Sequence, residues 1–149
     1  MRIAQTTALA IDSLLYMAAH NGRDEFAVEE IAQAQQASPA YLAKVFQRLA
    51  KSDLLRSRRG AKGGYSLARP PAQITLLDIA QVFEGAAPMY GCRAQARACG
   101  AACPCLVPKT FREVEEKFNE ILRGVSLEDM AGALREHCPQ SWCGAGAAN

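Results

Sequence analysis

Apolar residues recur at helical spacing near the start of this 149-residue chain: Leu9, Ile11, Leu14, Leu15 and Ala18. That period predicts a first helix over residues 3–20, stopped by Gly22. Val28, Ile31 and Ala32 share one face of a shorter second helix, residues 28–35, followed by the turn Gln36-Ala37. Ser38-Pro39 is a helix start, with a hydroxyl at the N-cap and proline at the first helical position. Within this third helix Leu42, Val45, Phe46 and Leu49 form an i, i+3, i+4, i+7 stripe that must face a core. The opposite face carries Ala40, Tyr41, Ala43, Lys44, Gln47 and Arg48.

The helical period then gives way. Leu54-Leu55-Arg56-Ser57-Arg58 and Tyr65-Ser66-Leu67 read as two short strands around a basic, glycine-rich turn, residues 59–64. Arg69-Pro70-Pro71 breaks the chain, and a short helix over residues 76–83 follows with Thr75 as its cap. Residues 85–108 form a loop. A longer amphipathic helix spans residues 109–122, with Phe111, Val114, Phe118, Ile121 and Leu122 apolar. A last helix, residues 126–135, opens on a near capping box, Ser126 and Asp129. There is no internal repeat. The predicted fold is mainly α with a small β-hairpin wing: a winged helix-turn-helix plus a long dimerisation helix. Residues 1–70 make the DNA-binding region, 71–137 the cysteine loop and dimerisation helix, and 138–149 a flexible tail.

Charge sharpens this reading. The net charge is only +2, but residues 44–69 hold eight basic side chains against Asp53 alone, a local balance of +7. From residue 70 onward seven basic residues face nine acidic ones. A basic patch on a helix-turn-helix and its wing is the footprint of a polyanion site. Ser38, Ala40, Tyr41, Ala43 and Lys44 occupy the start of the second helix of the motif, which enters a major groove. Ser38 is also the expected cap. Gln47, Arg48 and Lys51 lie further along and suit phosphates. Arg59, at the wing tip beside Gly60, suits a minor groove. One winged helix reads few base pairs, so a homodimer on a two-fold DNA operator is expected.

Four cysteines, Cys92, Cys99, Cys103 and Cys105, fall within fourteen residues, and Cys138 and Cys143 lie near the C-terminus. No secretory signal and no run of eighteen apolar residues is present, so a cytoplasmic location without a membrane partner is expected. There thiols stay reduced, and clustered cysteines point to metal, iron–sulfur or redox chemistry over structural disulfides. Zinc knuckles of C-x2-C form are missing, which argues against zinc. No C-x-x-C follows a strand and no nucleotide loop or triad is visible, so an enzyme is not expected. A cluster-free thiol switch stays open.

Three stretches together resemble the Rrf-two family of bacterial transcription regulators. They are the opening MRIAQTTALAIDSLLYMA, the segment SPAYLAKVFQRLAKSDLLRSRRGAKGGYSLAR, and the C-x6-C-x5-C loop. Its RGxxGGY signature stands here as Arg59 to Tyr65, and the likeness covers about residues 1–135. The resemblance implies a homodimer of winged helices. It also implies an iron–sulfur cluster, 2Fe-2S or 4Fe-4S, on Cys92, Cys99 and Cys105, with the first spacing one residue longer than usual. It places Ser38, Ala40, Tyr41, Ala43 and Lys44 on the major-groove helix, and Arg59 and Gly60 in the wing that enters the minor groove. Two departures concern the fourth ligand. One branch of the family has a histidine where this chain has Pro108, and another has an aspartate where it has Ala8. Cys103 is the local candidate for that ligand. Cys138 and Cys143 match no motif of the family.

Overall fold

The computed structural model describes residues 3–20, 23–58, 60, 63–85, 88–91 and 105–137. Among these residues the chain forms six α-helices, a 3-10 turn at Pro71–Gln73 and one antiparallel hairpin. The mainly helical fold with a small wing is therefore the one adopted. Gly22, Cys138, Cys143 and the C-terminal tail, on which sequence expectations fell, lie outside the described residues.

Helix α1 (Gln5–Ala19) is enclosed on more sides than its sequence suggests. Of the expected stripe Leu14 and Ala18 are buried, and Leu9, Ile11 and Leu15 are half-buried and pack against the same core; Ala10, Tyr16 and Met17 are buried as well. The reason is tertiary: α1 touches α3, β2, α4 and α6. Two polar residues, Thr7 and Ser13, are carried into the interior. Ser13 donates back to the Leu9 carbonyl at 2.7 Å, the local solution for a hydroxyl within a helix. Thr7 donates to the Glu84 carboxylate.

Helices α2 (Val28–Ala34) and α3 (Pro39–Lys51) form the helix-turn-helix. The turn between them is closed by main-chain bonds, Gln36 N to Gln33 O at 3.2 Å and Ala37 N to Ala32 O at 2.8 Å, with Gln36 at φ 52°. This is a Schellman closure without glycine. The end of α3 repeats it: Asp53 stands at φ 54°, and Leu54 N donates to Leu49 O at 3.0 Å. The predicted stripe of Leu42, Val45, Phe46 and Leu49 is buried. Ser38 has the extended backbone of an N-cap and Pro39 begins the helix, but the serine hydroxyl makes no cap bond.

The wing pairs β1 (Leu55–Arg58) with β2 (Gly64–Leu67), from Leu55 opposite Leu67 to Arg58 opposite Gly64. Phe26 adds a third, single-residue rung by exchanging two 2.9 Å main-chain bonds with Tyr65. Two glycines of the turn have separate reasons. Gly60 takes φ +134°, which side-chain-bearing residues rarely adopt. At Gly64 an added Cβ would stand 2.7 Å from the Phe26 carbonyl oxygen. The Phe26 rung thus requires a residue without a side chain.

Helix α4 (Leu76–Glu84) starts with a full capping box between Thr75 and Asp78. Helix α6 (Leu127–His137) has its own: Ser126 N donates to Asp129 Oδ2 at 2.9 Å, and Asp129 N donates to Ser126 Oγ at 3.1 Å. The two starts are stapled by Leu76 N to Val125 O at 2.9 Å and Leu127 N to Ile74 O at 2.7 Å. Leu127 and Ala131 of α6 join the core built around α1, so one interior spans residues from both sides of position 70. Between these elements α5 (Leu106–Arg123) begins three residues before its expected start at 109. Pro108 is compatible with the earlier start, because it occupies the first turn, where its missing N–H would have had no helical partner. Of α5 only Leu122 is buried, packed with Phe118 against Leu77 and Ala80 of α4.

Gly64→Ala is expected to cost about 1–3 kcal/mol, the usual range for overpacking. Urea unfolding reads it as a lower midpoint; an unchanged midpoint would mean the Phe26 rung yields without cost.

Candidate functional site

The predicted reading residues share the start of α3. Ser38, Ala40, Tyr41 and Lys44 are exposed and Ala43 is half-buried. Since the Ser38 hydroxyl does not cap the helix, it remains available to a ligand. Lys44 has no ion pair among the described residues. Tyr41 is 44% exposed, and its hydroxyl shares a 2.6 Å hydrogen bond with Thr6 of α1. In the wing, Arg56 is exposed and Arg58 is ion-paired with Glu25. Gly60 is exposed at the turn; Arg59 lies outside the described residues.

Arg48 is placed differently from its neighbours. Its Nη2 donates to the Val82 carbonyl at 2.6 Å, and its guanidinium stands 4.6 Å from the centre of the Phe83 ring. The next residue, Glu84, accepts from Ala4 N at 2.9 Å and from the Thr7 hydroxyl. These two bonds, the Thr7 one foremost, hold the Glu84 carboxyl below its ordinary pKa. The last turn of α4 thereby meets both the first turn of α1 and the reading helix. Sequence reasoning missed these bonds because they join residues 34 to 80 positions apart. No short-range pattern announces them.

Of the proposed thiol ligands, Cys105 alone is among the described residues; Cys92, Cys99 and Cys103 lie outside them. Cys105 is a free, exposed thiol at the N-cap position of α5. Before the cysteine segment, Tyr90 stacks on Phe111 of α5 with ring centres 4.9 Å apart. Both ends of the cysteine segment are therefore attached to one helix. Pro108 is half-buried in the first turn of α5 and Ala8 is exposed on α1, and neither offers a ligand atom. Among the described residues no three His, Cys, Asp or Glu side chains come together as a metal site. The one described ligand candidate has the right chemistry, an unpaired thiol open to solvent.

Helix α5 also carries an apolar seam. Val107, Phe111, Val114, Phe118 and Ile121 follow alternating spacings of four and three residues, the repeat of helices that pack side by side. Ile121 is 66% exposed and Val114 48%. The early start of α5 adds Val107 to the stripe seen in the sequence.

Residues 3–133 match the model of Rrf2, described as an iron-dependent transcriptional regulator. The chain belongs to the Rrf2 family. It is 30% identical over 139 residues to a putative HTH-type transcriptional regulator of Aquifex aeolicus, with 92% of this chain and 96% of that one aligned. Two solved Rrf2-like structures share its fold. IscR of T. potens gives a TM-score of 0.74 at 26% identity, covering 93% of this chain and 92% of that one. CymR of B. subtilis, a global cysteine regulator, gives 0.73 at 25% identity, covering 89% and 98%. As an Rrf2 protein the chain is a DNA-binding transcriptional regulator with a winged helix. Its relatives are regulators and no enzymatic family is indicated. Among the described residues no helix is long and apolar enough to cross a membrane.

The Glu84 geometry gives a pH dependence with a definite sign. Its folded-state pKa is lowered, so its contribution is present above the ordinary carboxylate range and is lost as pH falls through the folded value. The stability advantage of the native chain over Glu84→Gln is expected to be constant at neutral pH and to shrink in acid. Denaturant unfolding at several pH values measures it, and an advantage that grows in acid would contradict the assignment.

Proposed function

We propose that this Rrf2 protein is a homodimeric, sequence-specific regulator whose DNA affinity is controlled by an iron–sulfur cluster held by the segment between Cys92 and Cys105. The observation that carries the proposal is the attachment of both ends of that segment to α5, through Cys105 at its N-cap and the Tyr90–Phe111 stack. A change of ligation in the loop is then a change felt by one helix. Cys92, Cys99 and Cys105 would hold the cluster, with Cys103 as the fourth ligand in place of Ala8 or Pro108. When bound, the cluster supplies an iron-dependent, oxidisable cross-link of the loop.

The chain's own residues supply the rest. Fully burying one large apolar side chain is worth about 1.5–3 kcal/mol, so the seam along α5 strongly favours association. A second copy packed on it makes a two-fold pair and sets two reading helices at a fixed separation. Ser38, Ala40, Tyr41, Ala43 and Lys44 face base edges and adjoining phosphates of the major groove. Arg59 and Gly60 bring the wing to the minor groove. Arg56 lies on the same hairpin and adds positive charge.

A second reading keeps the fold and the DNA contacts but replaces the cluster with thiol oxidation. The likeness to CymR, as close as that to IscR, favours keeping it. Anaerobic purification with a visible spectrum and iron and sulfide counts separates the two. Stoichiometric iron and sulfide with visible absorbance is expected, and a colourless protein whose DNA affinity follows thiol oxidation would establish the second reading instead.

Two substitutions test the DNA and dimer parts. Lys44→Ala should weaken binding to duplex DNA across sequences and reduce the log–log salt slope by about one. Ile121→Glu should sediment as a monomer and lose at least about a hundredfold in affinity for a two-fold operator, the usual scale of lost bivalency. A dimeric Ile121→Glu protein would place the subunit interface elsewhere.

A further inference from the structure

Arg48 lies on the basic, exposed side of α3, where a phosphate contact is the obvious reading. Its actual partners belong to the last turn of α4. The Val82 carbonyl is one of the last four of that helix, which have no acceptor role inside it. An arginine is well suited to such a position, since its charge complements the negative end of the helix dipole. The Nη2–Val82 O bond of 2.6 Å and the Phe83 stack at 4.6 Å use the two properties that distinguish arginine from lysine, a directed planar fork and a polarisable face.

The same turn of α4 is tied to α1 by Glu84, and α1 returns to the reading helix through Thr6 and Tyr41. Tyr41 and Arg48 are seven residues, two helical turns, apart on α3. The reading helix is thus fastened at both ends to one place in the fold. Directly after that place Gly85, at φ +78°, ends α4 and the chain runs on toward the cysteines.

We infer that Arg48 is a positioning residue: it fastens the reading helix to the last turn of α4, which precedes the cysteine segment along the chain, and acts on DNA through that fastening and not through a phosphate. The inference rests on the DNA-regulator reading above. It makes the Val82–Glu84 turn the junction through which the loop and the reading helix sense one another.

The test uses the full-length protein, purified anaerobically and compared before and after iron chelation, on a duplex selected with the wild type. Arg48→Lys keeps the charge and loses the fork and the stack. Phe83→Leu removes the ring and alters no charge. Arg48→Ala removes everything. Circular dichroism confirms folding of each. If Arg48 positions the helix, all three reduce the ratio of affinities between the two loop states at least about fivefold, within the usual range of coupling between sites. Arg48→Lys and Phe83→Leu leave the salt slope unchanged, and both speed hydrogen exchange at residues 83–85 in the DNA-free protein.

The inference is overturned if Phe83→Leu and Arg48→Lys behave as the wild type while Arg48→Ala weakens both states alike and lowers the salt slope by about one, the mark of a phosphate contact. Equal weakening of both states by Phe83→Leu at unchanged salt slope also overturns it, since the stack would then support the fold alone. A wild-type ratio of one is a different failure. It would sink loop control of DNA binding as proposed above, while the salt slope and the exchange at residues 83–85 would still decide how Arg48 acts.

Discussion

Thr7 is fully buried, and a buried hydroxyl without a partner is costly. Its bond to the Glu84 carboxylate answers that cost and fixes a geometry. To reach Thr7, the end of α4 must lie beside the first turn of α1, where Glu84 also takes the Ala4 N–H. With α4 so placed, Val82 and Phe83 come within reach of Arg48, and the start of α1 brings Thr6 to Tyr41. Ser13, the other buried polar residue of α1, is satisfied within its own helix, so the Thr7 bond is the one that orients α1, α3 and α4 together. The hydrophobic core supplies the attraction, which has no direction of its own. The polar contacts at its edge choose the arrangement.

What could be read from the sequence divides along the same line. The α3 stripe, the Thr75 and Ser126 helix starts and the hairpin were legible because neighbours a few residues apart determine them. The stripe on α1 was legible only in part, because several elements surround that helix and periodicity describes only one buried face. The start of α5 lay three residues earlier than periodicity placed it, since a proline is harmless in a first turn and Pro108 falls there. The positions proposed to read bases were legible only as places on α3, because the helix itself was legible. The place of Arg48 was not, because its partners lie on another helix and its exposed position resembles that of any phosphate-binding arginine. Phe26 offered no sign that it would lend the wing a third rung; the only trace was the glycine at position 64, which turn chemistry alone already explained.

The second half of the chain serves two purposes with different physics. Helix α6 gives Leu127 and Ala131 to the core around α1 and shares main-chain bonds with the start of α4. Helix α5, between them, contributes almost nothing to that core and keeps Val107, Val114 and Ile121 of its seam outward. The proposed dimer and the proposed cluster both use this one helix: the thiol segment is attached to its first two turns, and the seam runs along its length. Loop chemistry and subunit contact are thereby set on a common body, itself packed against α4 through Leu77, Ala80, Phe118 and Leu122.

The turn between α2 and α3 is closed by backbone groups alone, with Gln36 in the left-handed region and no side chain in the closing bonds. The geometry of the turn is consequently indifferent to the side chains at positions 38, 40 and 44. Exchange of the residues at 38, 40 or 44 would leave the angle between the helices as it is. The helix pair is thus a frame that outlasts its outward residues: what the outer face recognises and how it is presented are separable properties.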